Sequence, residues 1–289
     1  MAGFTHLHTV SGFSLRYGAS HPERLAERAA ERGMDALALT DRDTVAGVVR
    51  FAKACARAGV RPLFGASLAV PAAYAGEGAA LQAGPPAARR RTPVRGGAFV
   101  PEATDRAVFL ARNGRGWGAL CRLVSAAHTD GGIAWEDLGR EGLYVLLGAD
   151  SEVGRALAAG RPDRAARLLR PWREVYGDAL RLEAVHHGRT GTGYGSLRLA
   201  ARTVGFAVEQ GVVPVLTNAV RYADPGQGEV ADVLDSARRL VPVDVRDAGG
   251  LDSGERWLKD SGDMARTSTG TRRRAESRTS ATSPWPGSA

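Results

Sequence analysis

Short apolar runs alternate with amphipathic stretches along most of the chain. Apolar positions repeating every three to four residues predict helices at 44–58, 117–126, 164–176 and 197–210. The apolar runs predict strands at 36–40, 61–64, 107–111, 143–147, 179–185 and 212–217. Because repeated strand-then-helix units form parallel sheets or barrels with helices outside, the pattern predicts an α/β fold. In such folds the chemistry lies at the carboxyl ends of the strands.

The first helix has recognisable start and stop signals. Ser20 and Glu23 have the spacing of a capping box, in which each side chain bonds the backbone N–H of the other residue. The apolar pattern ends at Gly33, which suits the left-handed conformation that commonly follows a helix. A helix from about Ser20 to Gly33 is therefore expected.

Two segments break the alternation. Residues 71–104 are rich in Ala, Gly, Pro and Arg with little periodicity, and we predict a flexible, low-complexity insertion between two strands. Residues 266–289 are rich in Ser, Thr, Gly, Arg and Pro, and after position 266 they contain no Leu, Ile, Val or Phe. Such a segment buries too little apolar area to offset its ordering entropy, so we predict a disordered tail.

Composition excludes few classes of function. The formal charge is +8, but the segment after residue 265 carries +4 of it, so the remainder is not strongly basic. We therefore do not take arginine richness as evidence of DNA binding. No apolar run reaches the roughly 18 residues of a membrane span, and the beginning lacks the apolar stretch of a signal peptide. We expect no membrane contact and a cytoplasmic location. Cys55 and Cys121 fall in predicted helices, so no disulfide is expected.

Candidate chemistry begins at the amino terminus. His6 and His8 are two residues apart on a predicted strand, so both imidazoles point to one side and could reach one metal ion. A second apolar run, 36–40, ends in the acid Asp41. Farther along, the glycine loop 191–195 could cradle a phosphate, but it lacks the context of a dinucleotide fingerprint, and we interpret it as a plain loop.

These two motifs resemble the opening of a PHP (polymerase and histidinol phosphatase) domain. The similarity continues in the same order up to about residue 266, and it is greatest to the amino-terminal PHP domain of bacterial C-family DNA polymerases, which include the DNA polymerase III alpha subunit and error-prone DNA polymerases. The segments that carry it are 20–29, 33–41, 59–65, 109–113, 120–125, 187–188, 217–222 and 257–261. The resemblance implies a distorted (β/α)7-like barrel over residues 1–265, with a connection to a polymerase module starting at about 240–265.

The resemblance also implies a trinuclear metal centre built from His, Asp, Glu and sometimes Cys. Four positions retain the family's residue types: His6, His8, Asp41 and His187. Seven positions carry other residues instead: Tyr17, Arg42, Ser67, Arg106, Ala149, Ala219 and Arg221. Multinuclear clusters need carboxylates, and arginines repel metal ions. We therefore predict a vestigial site without metal or catalytic residues, in which arginines pair with Asp41.

The leading functional hypothesis is the PHP portion of a DNA-directed DNA polymerase, a nucleotidyltransferase of DNA replication or repair synthesis. In that family the polymerase site, which uses Mg²⁺, lies in later domains, so we expect this chain to be inactive alone and to require no cofactor. Its partners would be the polymerase module and, through it, DNA and the sliding clamp. The hypothesis includes a truncated or frame-shifted reading frame, or a fragment. The alternatives are a stand-alone PHP metal-dependent phosphoesterase and a non-catalytic PHP-derived binding module.

Overall fold

The computed structural model describes residues 3–71, 105–129, 132–138, 141–240, 242–243 and 251–276, with the side chains of 272–276 left out. These residues form six strands: β1 Ala36–Leu39, β2 Arg61–Ala69, β3 Arg106–Ala111, β4 Leu143–Leu147, β5 Leu180–Val185 and β6 Val213–Thr217. They also form eight α-helices: α1 Pro22–Glu31, α2 Val48–Ala58, α3 Gly114–Ala127, α4 Glu152–Ala158, α5 Pro162–Tyr176, α6 Leu197–Glu209, α7 Gly228–Arg239 and α8 Ser261–Glu276.

The strands make one sheet whose spatial order follows the chain, β1 to β6. β1 pairs with β2 in parallel, and β4, β5 and β6 also pair in parallel. β3 runs antiparallel to both of its neighbours, with Ser67 opposite Val108 and Leu110 opposite Tyr144. The predicted α/β fold is thus confirmed, but with a reversed strand that the apolar pattern did not reveal, because periodicity identifies a strand without giving its direction.

The amino-terminal segment lies between the first and last strands of this curled sheet. On one side, Ala38 N donates to His6 O at 3.0 Å and Thr40 N to Thr9 O at 2.8 Å. On the other, Val220 N donates to His8 O at 2.9 Å. The segment around residues 6–10 therefore bridges the two ends of the sheet, and the carboxyl ends of the strands gather around it.

Each face of the sheet is buried. On the outer face the helices cover a core that includes Phe109, Leu120, Leu147 and Trp172. A second core joins α1 and α2 to β1. The inner face holds a smaller apolar cluster of Ala38, Val108, Leu110 and Leu146. Two members of this cluster, Val108 and Leu146, also line the cavity beside His8, where the polar residues described below lie.

The predicted capping box does not form. His21, not Ser20, is the N-cap of α1, and Glu23 pairs with Arg50. The Ser20 hydroxyl instead accepts from Ala223 N at 2.8 Å, so a contact about 200 residues distant replaces the local one. Gly33 does adopt the left-handed conformation, with φ of +66°.

The carboxyl-terminal prediction also differs from the structure. We expected a disordered tail to begin at residue 266. In the structure, residues 266–276 instead belong to α8, which packs on α6 and ends at Glu276. Met264 and Thr271, seven residues apart on one helix face, are almost completely buried. A count of large apolar residues misses such packing, because small side chains allow helices to approach closely. Residues 277–289, and 72–104 of the predicted insertion, lie outside the described part of the chain.

Among the residues that the structure describes, no helix combines the length and apolar character needed to cross a membrane.

Candidate functional site

The two motif histidines are held by different partners. The ring of His6 is fully buried, and its Nε2 lies 2.8 Å from the backbone oxygen of Lys259. Burial lowers the pKa of His6 to about 4, so the imidazole is neutral. Because Nε2 faces a carbonyl oxygen, it carries the proton and cannot also bind a metal.

His8 pairs with an acid that the sequence analysis did not select. His8 Nδ1 lies 2.8 Å from Oε1 of Glu183 on β5, and the Thr217 hydroxyl donates to the same oxygen at 2.5 Å. Burial acts against charge on both side chains, yet their mutual attraction raises the pKa of His8 and lowers that of Glu183. Both shifts favour the charged forms of the two side chains, as in an ion pair. An acid between Leu182 and Ala184, near the carboxyl end of the predicted strand 179–185, was the signal that could have identified Glu183.

Asp41 is held by serines rather than arginines. Its carboxylate accepts hydrogen bonds from Ser11 N at 2.6 Å, Ser11 Oγ at 2.8 Å and Ser14 Oγ at 2.7 Å. Burial raises the pKa of Asp41, although these bonds partly oppose the shift. The prediction that Arg42 and Arg221 pair with Asp41 is wrong, because a short serine loop reaches the carboxylate first.

The arginines converge on Tyr17 instead. The guanidinium carbons of Arg42 and Arg221 lie 3.3 and 4.0 Å from the centre of its ring, and Arg256 Nη2 donates to its hydroxyl at 2.8 Å. Burial by itself raises the pKa of the Tyr17 phenol, but the positive charges of Arg256, Arg42 and Arg221 outweigh burial and lower it to about 7. Tyr17 and these cations thus occupy a position where the family resemblance places metal ligands.

Arg221 also has carboxylate partners of its own. It pairs with Asp235 on α7 at 2.7 Å and with Asp252 at 3.3 Å. Among the described residues, the acid that pairs with Arg42 is Asp150, at 4.0 Å, and burial lowers the pKa of Arg42. The positive charges of both arginines are therefore balanced, in part, by Tyr17 and by these carboxylates.

The remaining replaced positions line the same end of the barrel. Arg106 donates to Ser67 Oγ at 3.2 Å and pairs with Asp43 at 3.0 Å. Ala219 adopts a left-handed φ of +42°, and its backbone oxygen accepts from Arg256 Nε at 3.0 Å. Arg256 was not among the predicted site residues, yet it contacts two of the positions that were.

His187 is nearly buried at the end of β5. Its Nε2 lies 3.0 Å from the backbone oxygen of Asn218, and burial lowers its pKa well below the usual value. The Asn218 amide donates to the backbone oxygens of Glu255 and Trp257 at 2.7 and 2.8 Å. These contacts hold the segment around residues 255–259 against the strand ends.

The residues present do not fit a multinuclear metal centre. The cavity beside His8, lined also by Ser67, Arg106, Ala149 and Glu183, has a volume of about 10 Å³, which is room for about one water molecule. Within the described ranges, no group of three or more His, Cys, Asp or Glu side chains has a metal-binding arrangement. Nε2 of His6 and the carboxylate of Asp41 are engaged by protein groups, while Nδ1 of His6 is buried without a partner among the described residues. Arginines stand where further ligands would be needed.

Comparison with known proteins gives a consistent set of similarities. A family model described as PHP domain matches residues 6–187. The chain is 31% identical over 274 residues to the error-prone DNA polymerase of Mycolicibacterium paratuberculosis, which covers 91% of this chain and 23% of that protein. It is 32% identical over 266 residues to the error-prone DNA polymerase of Mycobacterium tuberculosis, covering 88% of this chain and 21% of that protein.

A replicative relative is also similar. The DNA polymerase III subunit alpha of Caulobacter vibrioides is 28% identical over 285 residues, covering 91% of this chain and 22% of that protein. The chain therefore spans less than a quarter of the length of these relatives. Among solved structures, an amidohydrolase from Chromobacterium violaceum has a TM-score of 0.46 at 16% identity and covers 77% of this chain and 88% of its own.

Proposed function

Because the chain belongs to the PHP domain family, we propose that it is the PHP region of a C-family DNA polymerase and that it supports the polymerase module without hydrolysing phosphate esters itself. The observation that carries the second half of this proposal is the arginine cluster on Tyr17. Three cations around one phenol, in the position of a metal centre, stabilise the strand ends with protein groups alone.

The relationship to polymerases rests on the extent of the similarity. Two error-prone DNA polymerases are 31% and 32% identical over about nine-tenths of this chain. Under this proposal the polymerase module is the direct partner, DNA and the sliding clamp are reached through it, and Mg²⁺ belongs to the polymerase site of the whole enzyme. The chain would then act in the cytoplasm, in replication or in repair synthesis.

The alternative, a stand-alone PHP phosphoesterase, would need metal ions to activate water and to hold the phosphate. In the structure, Nε2 of His6, Nδ1 of His8 and the carboxylate of Asp41 instead bond to Lys259, Glu183 and the serine loop. Opening the site for metal would break these bonds and would leave several cations beside the incoming ions. We therefore favour the supporting role.

Metal content and hydrolysis distinguish the two functions. We expect the protein, purified without chelator, to contain well under one Zn, Mn or Fe per chain and to hydrolyse no phosphodiester when Mn²⁺ is added. Stoichiometric binding of two or three metal ions would contradict the proposal. So would a phosphodiesterase activity that His6→Ala abolishes and that His21→Ala, at an exposed histidine, leaves unchanged.

A binding experiment tests the supporting role itself. The chain is mixed with the part of the Mycobacterium tuberculosis error-prone DNA polymerase that lies outside its matched region, and the mixture is separated by size. We expect co-elution and a higher melting temperature of the polymerase part, with the relative's own matched region as positive control. If that control associates and this chain does not, a supporting role in this type of polymerase is rejected. Primer extension by the chain alone would also reject it.

A further inference from the structure

Helix α7 is amphipathic, and its apolar side faces away from the protein. Val230, Val233, Leu234 and Ala237 lie at positions i, i+3, i+4 and i+7, which places them in one line along the helix. Val230 is 47% exposed and Val233 is 58% exposed, while Ala237 is also exposed and Leu234 is half-buried. We call these four side chains the α7 stripe. A surface helix normally turns such a stripe towards the core, but α7 leaves it open.

The opposite side of α7 attaches the helix through small and polar residues. Its buried residues are Gly228, Ala231 and Asp235. A methyl group at Gly228 would approach Cα of Gly254 to 3.1 Å, so the two backbones pass close to each other there. Asp235 pairs with Arg221 at 2.7 Å. The helix is therefore anchored without the α7 stripe, and the fold of the described residues does not explain why the stripe is apolar.

Helix α7 lies outside the matched PHP region but inside the similarity to polymerases. The PHP match ends at residue 187, well before α7 begins at Gly228. The similarity to the error-prone DNA polymerase of Mycolicibacterium paratuberculosis covers 91% of this chain, so it includes α7 wherever it begins. Single exposed valines are ordinary on a protein surface, but four apolar positions in one stripe form a patch that favours a partner.

We infer that the α7 stripe docks into an apolar groove on the polymerase module, an inference that rests on the proposed function. Amphipathic helices bind grooves in this way, with side chains at i, i+3, i+4 and i+7 as anchors. The four side chains of the stripe include no cation and no aromatic ring. They therefore suit neither the phosphates nor the bases of a nucleic acid.

A second copy of this chain is the competing occupant. Specific interfaces bury about 1,200–2,000 Å² in total, and four small or medium-sized side chains on one short helix supply only part of that area. Contact between two stripes would therefore be weak. In the Mycolicibacterium paratuberculosis relative the matched region is 23% of the protein, so more than three-quarters of its length lies outside that region. A partner of that size has enough surface to extend the contact beyond the stripe.

A binding titration with a matched pair of variants tests the docking surface. The full chain is titrated with the part of the Mycobacterium tuberculosis error-prone DNA polymerase that lies outside its matched region. Val233→Asp places a charge in the middle of the α7 stripe and should weaken binding by about tenfold or more, as for the loss of an interface anchor. Val208→Asp, at a valine on α6 that is 54% exposed, is the control and should leave binding unchanged.

The outcomes separate the docking surface from the proposed function. If the original chain binds and Val233→Asp binds equally well, the α7 stripe is not the docking surface, although the supporting role stands. If the original chain does not bind while the relative's own matched region does, the supporting role and this inference both fail. A dimer of the chain alone that Val233→Asp dissociates would assign the stripe to a second copy and overturn the inference.

Hydrogen exchange gives a measurement that needs no variant. The backbone amides of α7 should exchange more slowly when the polymerase part is bound, because docking covers the helix and opposes its local opening. The amides of α3, on another part of the barrel, are the internal reference and should change little. Binding of the original chain without slower exchange in α7 would overturn the inference.

Discussion

The Nη2 of Arg256 donates to the hydroxyl of Tyr17 over 2.8 Å, and this bond joins positions that are far apart in the sequence. Arg42 and Arg221 lie over the same ring at 3.3 and 4.0 Å. Cations facing an aromatic ring and its hydroxyl favour the deprotonated phenol. The group at this end of the barrel whose ionisation these arginines change is therefore the phenol of Tyr17.

The ionisation of Tyr17 is the first prediction. Because the surrounding arginines lower its pKa to about 7, one tyrosine of the folded protein should show tyrosinate absorbance near neutral pH, and Tyr17→Phe should abolish that transition. Tyr144→Phe, at a half-buried tyrosine on β4, is the control and should keep it. A titration that lacks any transition below pH 10 would contradict the prediction.

The same shift affects stability. Between the folded pKa of about 7 and the ordinary value of 10.0, the folded state has lost a proton that the unfolded state still binds. Linkage then requires this contribution to the free energy of unfolding to rise with pH across that window and to be lost as pH falls through 7. In Tyr17→Phe the stability should rise less with pH over this window, as measured by urea unfolding at several pH values.

The ion pair between His8 and Glu183 gives the second prediction. The pKa of His8 is raised, so its contribution to stability is fully present below pH 6.5 and is lost as the pH rises through the folded pKa of His8. The pKa of Glu183 is lowered, so its contribution is present above pH 4.5 and is lost as the pH falls through the folded pKa of Glu183. His8→Gln leaves Glu183 buried without its cation and should reduce the free energy of unfolding by about 3–5 kcal/mol. The deficit should be larger between pH 4.5 and 6.5 than in alkaline solution. His21→Gln, at an exposed site, should change little, and an equal effect of both variants would contradict the ion pair.

The serine loop around Asp41 gives the third prediction. Ser14 Oγ donates to Asp41 and accepts from Arg42 N at 2.9 Å, so Ser14→Ala removes a partner from one buried and one partly buried group. The expected loss is about 1–3 kcal/mol of unfolding free energy. Ser125→Ala, at an exposed serine on α3, should cost less than half as much. Unfolding curves in urea measure both, and equal effects would show that the loop does not hold Asp41.

Two glycines of α3 make the fourth prediction. A Cβ at Gly116 would lie 1.8 Å from the backbone oxygen of Gly142, whereas at Gly118 its nearest neighbour is the flexible end of Arg122 at 3.6 Å. Gly116→Ala should therefore destabilise the protein by about 1–3 kcal/mol or more, because backbone must move. Gly118→Ala should stabilise it by about 0.5–1 kcal/mol, since alanine is the better helix former. Opposite shifts in melting temperature are expected, and a stabilising Gly116→Ala would refute this packing.

Much of the fold was predictable because strands of this chain are apolar and short. The predicted strand 143–147 coincides with β4, and the others differ from the structure by a few residues, mainly β2, which continues to Ala69. The direction of β3 was not predictable, since an apolar run reads the same in either direction. The capping interaction of Ser20 also failed, because a backbone N–H brought close by the tertiary fold competed with the local one.

The sequence predicted which residues lie together in the site, but not which side chains bond to one another. The resemblance identified Tyr17, Arg42 and Arg221 as one group of replaced ligands, and the structure brings them together. It did not show which groups pair, because Asp41 is reached by nearby serines at 2.6–2.8 Å. Glu183 and Arg256 were missed, since their partners are distant in the chain.

The position of the amino-terminal segment has a consequence for synthesis. Its hydrogen bonds to Val220 join residues separated by about 210 positions. A ribosome that adds about 5–20 residues per second needs roughly 10–40 s to make the intervening chain. During that time the amino-terminal segment can pair with β1 on one side, but the strand end near Val220 is not yet present on the other. Closure of the sheet through this segment therefore has to wait until the residues around Val220 have been made.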